Sequence, residues 1–259
     1  MTLPEKPIMV PVDFSELSVA AIQHAMIFAK TTGHGIVLVH IVSKDHELPA
    51  AEAKLKEYCI QMEEKFQTKF LYAIKRSDLF KGIKTLSIEM NAMIIIMGLH
   101  SAKRAIKVIV GSNVPFLLIQ MPPINDRIID LVVPVDTDDK NRIQLNWVAF
   151  LSHFFKCNIN LIKPFFKSKH RDEKMRKNIF FYKNVLENKG IVYGIRTSKR
   201  DQKFNDSIYD FAQEIQADLI FIMSYQFKEF ILKANKFGMK IPVLCINPAT
   251  NLRLLPGKF

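Results

Sequence analysis

The chain has 259 residues, 49% apolar and 24% charged, with 9 glycines and 12 prolines, which is the composition of a globular protein and excludes a disordered or fibrous one. Its three cysteines, Cys59, Cys157 and Cys245, are odd in number and widely spaced, which argues against a disulfide framework and a cysteine metal site. The formal net charge of +12 is held unevenly: residues 1–124 carry 14 basic against 11 acidic side chains, and residues 125–259 carry 23 against 14.

In chain order, apolar runs of strand length alternate with stretches of helical period. The first half predicts strands at 8–12, 36–42, 70–75, 92–97 and 114–120, with helices at 15–31, 50–68, 78–91 and 101–110. The strand runs are continuous rather than alternating, as burial on both faces of a parallel sheet requires. Leu17, Ala21, His24, Ala25 and Phe28 form one stripe of the first helix, and Gly33 is placed to stop it in the left-handed conformation. Met121-Pro122-Pro123 then enforces an extended exit, and strands follow at 128–135, 158–162, 191–196, 218–223 and 242–247. No apolar run approaches the roughly 20 residues of a spanning helix. The N-terminal residues lack the pattern of a secretion signal, so a cytoplasmic protein is expected.

The second half repeats the first. Pro11-Val12-Asp13 returns as Pro134-Val135-Asp136, and Leu38, Met97 and Pro115 correspond to Leu161, Met223 and Pro242. Offsets that drift only slightly mean one duplication rather than a short-period solenoid. The expected fold class is therefore α/β, with two tandem doubly wound five-stranded parallel-sheet domains, residues 1–124 and 125–259, and right-handed crossovers.

In such a sheet ligands sit beyond the carboxyl ends of the strands, where strand order reverses. That points to Pro11-Val12-Asp13-Phe14-Ser15 and Met97-Gly98-Leu99-His100. Asp13 has two readings, a ligand contact or a cap on the first helix. His40, inside a strand, reads as a satisfied core residue, and His100 is the histidine to watch although it completes no triad. There is no HExxH pair, intact P-loop, nucleophile elbow or pair of catalytic carboxylates, so neither an enzyme nor a metal site is expected. Asp138 and Asp139, beside Asp136, read as an acidic helix N-terminus rather than a cation site. Residues 163–177, KPFFKSKHRDEKMRK, hold seven basic and two acidic side chains and are expected to be a solvated loop and helix face. The pairs Phe154-Phe155, Phe165-Phe166 and Phe180-Phe181 are expected in the core rather than as a platform for bases.

The segments PVDFSELSVAAIQHAMIFA, IVLVHIV, MIIIMGLH and VPFLLIQ, in that order, resemble the universal stress protein family. The resemblance covers nearly the whole chain as a tandem pair and is closer in the first half. It implies the adenine nucleotide alpha-hydrolase-like fold, with Asp13 on the ribose side of ATP, backbone atoms at Ile41 against the adenine, and Val12, Met97 and Gly98 alongside. It also implies two halves packed as a pseudo-dimer through their fifth strands, which are too apolar to stand as open sheet edges. The family's phosphate loop reads G-x-x-G, nine residues, then G and Ser or Thr. Here Gly98, Ser101, Gly111 and Ser112 fall at that spacing, with Ser101 in place of the second glycine.

Length argues against that loop. About sixteen residues separate Met97 from Val114, and a crossover with its helix needs a dozen or so of them. Residues 102–110 are therefore predicted to be helix and Gly111 its stop. In the second half Ser224-Tyr225-Gln226 leads straight into a helix stopped by Gly238, Ser224 replaces Gly98, and Pro164, with no N–H, stands in the place of Ile41. The leading expectation is a stress-response binding or scaffold protein with no cofactor, an unidentified protein partner and no membrane association. The alternatives are an adenine-nucleotide sensor binding ATP or AMP weakly through Val12, Asp13, Ile41, Met97, Gly98 and His100, and contact of residues 163–177 with nucleic acid or an anionic surface. The last is the least favoured, and a homodimer of tandem chains is left open.

Overall fold

The computed structural model describes residues 5–109, 112–137, 141–234, 240–247 and 250. The chain divides into two compact units between Pro123 and Ile124. The expected helix stops Gly111 and Gly238 and the acidic pair Asp138 and Asp139 lie outside the described residues.

The first unit runs β1 (Ile8–Pro11), α1 (Glu16–Thr32), β2 (Ile36–Val42), a 3-10 turn (Asp45–Glu47), α2 (Leu48–Phe66), β3 (Leu71–Arg76), α3 (Leu79–Glu89), β4 (Ile94–Gly98), α4 (Ala102–Ile109) and β5 (Phe116–Ile119). Its strands are parallel in the order β3-β2-β1-β4-β5. Ile8 lies opposite Ile36 on one side and Ile94 on the other, and all three are buried. Each such side chain contributes roughly 1.5–3 kcal/mol when taken fully from water, which is why β1 and β4 are apolar throughout. Helix α1 lays Ser18, Ala21, Ile22, Ala25 and Phe28 against the sheet, with small residues allowing close approach. It stops as expected at Gly33, whose φ of 75° is left-handed and whose N–H donates to the Ala29 carbonyl at 2.8 Å.

The second unit repeats the winding with β6 (Asp130–Pro134), α5 (Asn141–Phe155), β7 (Asn158–Lys163), α6 (Lys169–Asn188), β8 (Tyr193–Thr197), α7 (Phe204–Glu214), β9 (Leu219–Met223), α8 (Ser224–Ala234) and β10 (Val243–Ile246). The order β8-β7-β6-β9-β10 is again parallel and matches that of the first unit strand for strand. Its core is aromatic, with Trp147, Phe150, Tyr182, Phe221, Phe227 and Phe230 essentially without exposure.

Strand β7 stops at Lys163, ahead of Pro164 and within a residue of its expected end, whereas β2 runs on to Val42, so the two copies part at the end of their second strands. Two expectations need correction. Strand β8 starts at Tyr193 rather than 191, and its residues from Gly194 onward are exposed while most of β3 is half-buried. The phenylalanine pairs are not all core: Phe155 is buried, but Phe165, Phe180 and Phe181 are 40%, 65% and 39% exposed. The buried stripe of α6 is Met175, Tyr182 and Leu186, which turns positions 180 and 181 away from the sheet, and Phe165 lies past the end of its strand.

Candidate functional site

The carboxyl end of β1 turns sharply into α1 through Phe14, whose φ of 66° is unusual for a bulky side chain. Asp13 holds the turn. Its Oδ1 accepts the Ser15 N–H at 3.1 Å, the Ser15 hydroxyl at 2.5 Å and the Ser18 hydroxyl at 2.7 Å, while its own N–H donates to Ser18 Oγ at 2.9 Å. Its Oδ2 lies 2.9 Å from His100 Nε2. Partial burial alone would raise the Asp13 pKa, but the hydroxyls of Ser15 and Ser18, the Ser15 amide and the His100 charge outweigh it and hold the carboxyl at about 2. Ser15 is the residue that precedes the helix and makes no side-chain cap bond, so the stabilising contacts of this corner run through Asp13.

The end of β4 is brought against the same corner. A Cβ added at Gly98 would stand 2.8 Å from the Cβ of Leu17, so the glycine is what lets α1 close over β4. Met97 lies in register with Leu118 of β5 and is half-buried. Val12 is buried, and both its backbone groups are engaged: its N–H donates to the Val39 carbonyl at 2.8 Å and its carbonyl accepts His40 Nδ1 at 2.7 Å. A carbonyl only accepts, so Nδ1 carries the hydrogen and, in the neutral ring, Nε2 keeps a lone pair.

Ile41 lines a cavity of about 650 Å³ at the ends of β2 and β3 whose walls include His40, Ser43, Glu47, Lys54 and Asp78. The expected site residues fall in two neighbouring places, a β1–β4 corner built on Asp13 and His100 and this β2–β3 cavity, joined by the bond from His40 to Val12. Between them sits an aromatic cluster: the Phe14 ring is 4.7 Å from His40 and 5.3 Å from Tyr58, with Lys54 Nζ 4.3 Å above it. Tyr58 is 8% exposed and its hydroxyl has no hydrogen-bond partner. Burial, then the charge of Asp13, pushes that phenol up to about 12. The Asp-x-Ser-x-x-Ser spacing of residues 13–18 was visible in the sequence as a local turn signal. Tyr58 and Lys54 carried no signal, because α2 meets the turn only in the folded chain.

In the second unit Asp136 is tied to the first turn of α8, accepting Gln226 Nε2 at 2.7 Å and the Tyr225 hydroxyl at 3.3 Å. Beneath it, the Tyr182 hydroxyl donates to Gln144 Oε1 at 2.7 Å and Gln144 Nε2 donates to the Pro134 carbonyl at 3.2 Å. Among the described residues no three His, Cys, Asp or Glu side chains gather as a metal site, and no helix is long and apolar enough to cross a membrane.

Residues 5–115 match the sequence profile of the Universal stress protein family. No curated protein sequence matches the chain. Among solved structures, a universal stress protein from Archaeoglobus fulgidus DSM 4304 aligns over 94% of this chain and 97% of its own, with a TM-score of 0.74 and 16% identity. A functionally unknown protein from Pseudomonas aeruginosa PAO1 aligns over 94% and 93%, with a TM-score of 0.66 and 15% identity. A universal stress protein from Archaeoglobus fulgidus in complex with dAMP covers 46% of this chain and 97% of its own, with 18% identity and a TM-score of 0.39. Residues 5–115 thus match the profile of the Universal stress protein family, and the two alignments along the whole chain show that both units carry the fold of those solved structures.

Proposed function

We propose that the chain is a non-catalytic binding protein of the stress response in which neither half retains a phosphate loop. The observation that carries this reading is the fate of Ser112, which the degenerate loop pattern would set against a phosphate. Ser112 is 4% exposed, its N–H donates to the Ile109 carbonyl at 3.0 Å, and its hydroxyl bonds the Val114 carbonyl at 3.0 Å and the Val114 N–H at 3.2 Å. Its polar groups are spent on the turn that leaves α4, and α4 fills the stretch from Ala102 that a phosphate loop would need. In the second unit α8 begins at Ser224 directly after β9, which leaves no loop at all. With its N–H and hydroxyl already bonded, Ser112 offers a triphosphate no free donor.

A residual adenine-nucleotide site in the first unit is the second reading. It is favoured by the orphaned Tyr58 hydroxyl beside the Asp13 corner and by the His40 lone pair beside the β2–β3 cavity. Calorimetry with adenosine, AMP and ATP, with and without magnesium, tests both. Phosphates should add less than about tenfold to the affinity of adenosine, or 1.4 kcal/mol. Ser112→Ala should lower stability by about 1 kcal/mol and leave any affinity unchanged. Tight, magnesium-dependent ATP binding that Ser112→Ala abolishes would refute the proposal.

A further inference from the structure

We propose that the loops following β7 and β8 form a binding surface for single-stranded nucleic acid. Strand β7 stops at Lys163, and Phe165 then donates its N–H to the hydroxyl of buried Ser198 at 2.9 Å while the Ser198 N–H donates to the Lys163 carbonyl at 2.8 Å. The two loops are thereby stapled into one surface at the carboxyl ends of neighbouring parallel strands, the end of an α/β sheet that takes ligands.

Lys167, Lys169, Arg171, Lys199, Arg200 and Lys203 are exposed there. None of them joins an ion pair among the described residues, and Asp201 is the single carboxylate of the two loops. The nearby acids of α6 are occupied by its own cations, Asp172 with Arg176 at 2.9 Å and Glu173 with Lys177 at 3.5 Å. The matching loops of the first unit are built otherwise: Arg76 is paired with Asp45 at 3.3 Å, and Glu47 and Asp78 stand beside it in sequence order as further acids. One copy of the duplicated fold has balanced its charge at this place, and the other has left six cations to repel one another, an arrangement that a polyanion relieves by releasing its counterions.

Phe165 decides which polyanion. Its ring is 40% exposed in the midst of the cations, and the Arg200 guanidinium lies 5.7 Å from the ring centroid. A ring held by its own backbone bond and backed by a cation is a platform for an unpaired base. A duplex keeps its base faces stacked inside, and inorganic polyphosphate has none. A bilayer would draw on the most exposed phenylalanine among the described residues, but that is Phe180, at 65%, eleven residues past Lys169 and so roughly 16 Å along α6.

The test is fluorescence anisotropy of the full chain with a labelled short oligouridine, set beside a duplex of equal length, polyphosphate of equal charge and vesicles containing phosphatidylserine. Binding of the oligouridine should fall with salt by about 0.7 log units per log unit for each phosphate neutralised. Phe165→Ala should weaken it about tenfold or more. Lys169→Glu with Lys199→Glu should remove most of it, and Phe180→Ala should not change it; all are exposed positions at which the fold is expected to persist. No binding of oligouridine, equal binding of polyphosphate or duplex, indifference to Phe165→Ala, or binding only to vesicles through Phe180 would each overturn the assignment.

Discussion

His24 lies on α1 with 6% of its surface exposed, and its Nε2–H donates at 3.2 Å to the carbonyl of Met121, 97 residues away. Burial pushes its pKa down to about 4, against a smaller upward pull from that carbonyl. The sign is therefore opposite to that of a salt-bridged histidine. Above pH 6.5 both the folded and unfolded chains hold it neutral. Between 6.5 and 4 only the unfolded chain takes up the proton, so stability falls as the pH drops, by roughly 3 kcal/mol in all once below 4. Urea unfolding at a series of pH values should show this loss, and His24→Gln, which keeps an N–H donor, should flatten it; an unchanged slope in the variant would assign the loss to another group. Asp13 acts in a lower window, because its depressed carboxyl stabilises the fold above its ordinary value of 3.8 and loses that effect only as the pH falls toward 2. The sequence placed His24 on the apolar stripe of the first helix, yet its partner could not be read there, since nothing local links residue 24 to residue 121.

The meeting of α1 with β4 gives Gly98 a packing role: it lies under Leu17, where an added Cβ would be only 2.8 Å away. Gly98→Ala should cost about 1–3 kcal/mol through overpacking. A double-mutant cycle with Leu17→Gly, in the first turn of α1, should return a coupling above about 0.5 kcal/mol. Wild-type stability in Gly98→Ala would show that the helix has room to shift. The second copy makes the contrast plain, because β9 runs directly into α8 at Ser224 and uses the start of that helix, through Tyr225 and Gln226, to hold Asp136. Crossover length alone predicted that both fourth connections are short and helical, and α4 and α8 have that form. What length could not show was that Ser112 turns its hydroxyl inward.

Over the whole molecule the three thiols lie in the interior of both units, with Cys59 and Cys157 4% exposed and Cys245 1%. Burial pushes Cys59 and Cys157 up to about 12 and raises Cys245 well above the ordinary thiol value. A thiol-specific reagent at neutral pH should therefore find none of them fast in the native protein and all three in guanidinium, because the thiolate is the reactive form and must first reach solvent. A fast-reacting thiol in native protein would show local opening near its strand or helix. The sequence by itself determined the α/β class, the duplication and the alternation of strands and helices in each unit, because these follow from the length and periodicity of apolar runs, which are local properties repeated at nearly constant offset. Only the tertiary structure decided that Phe165 and Phe180 face water while Phe155 does not, that Asp13 spends its carboxylate on Ser15, Ser18 and His100, and that Ile41 lines a cavity with Lys54 and Asp78. Each of those depends on contacts between segments distant in sequence or on where a strand happens to stop, and no local pattern encodes either.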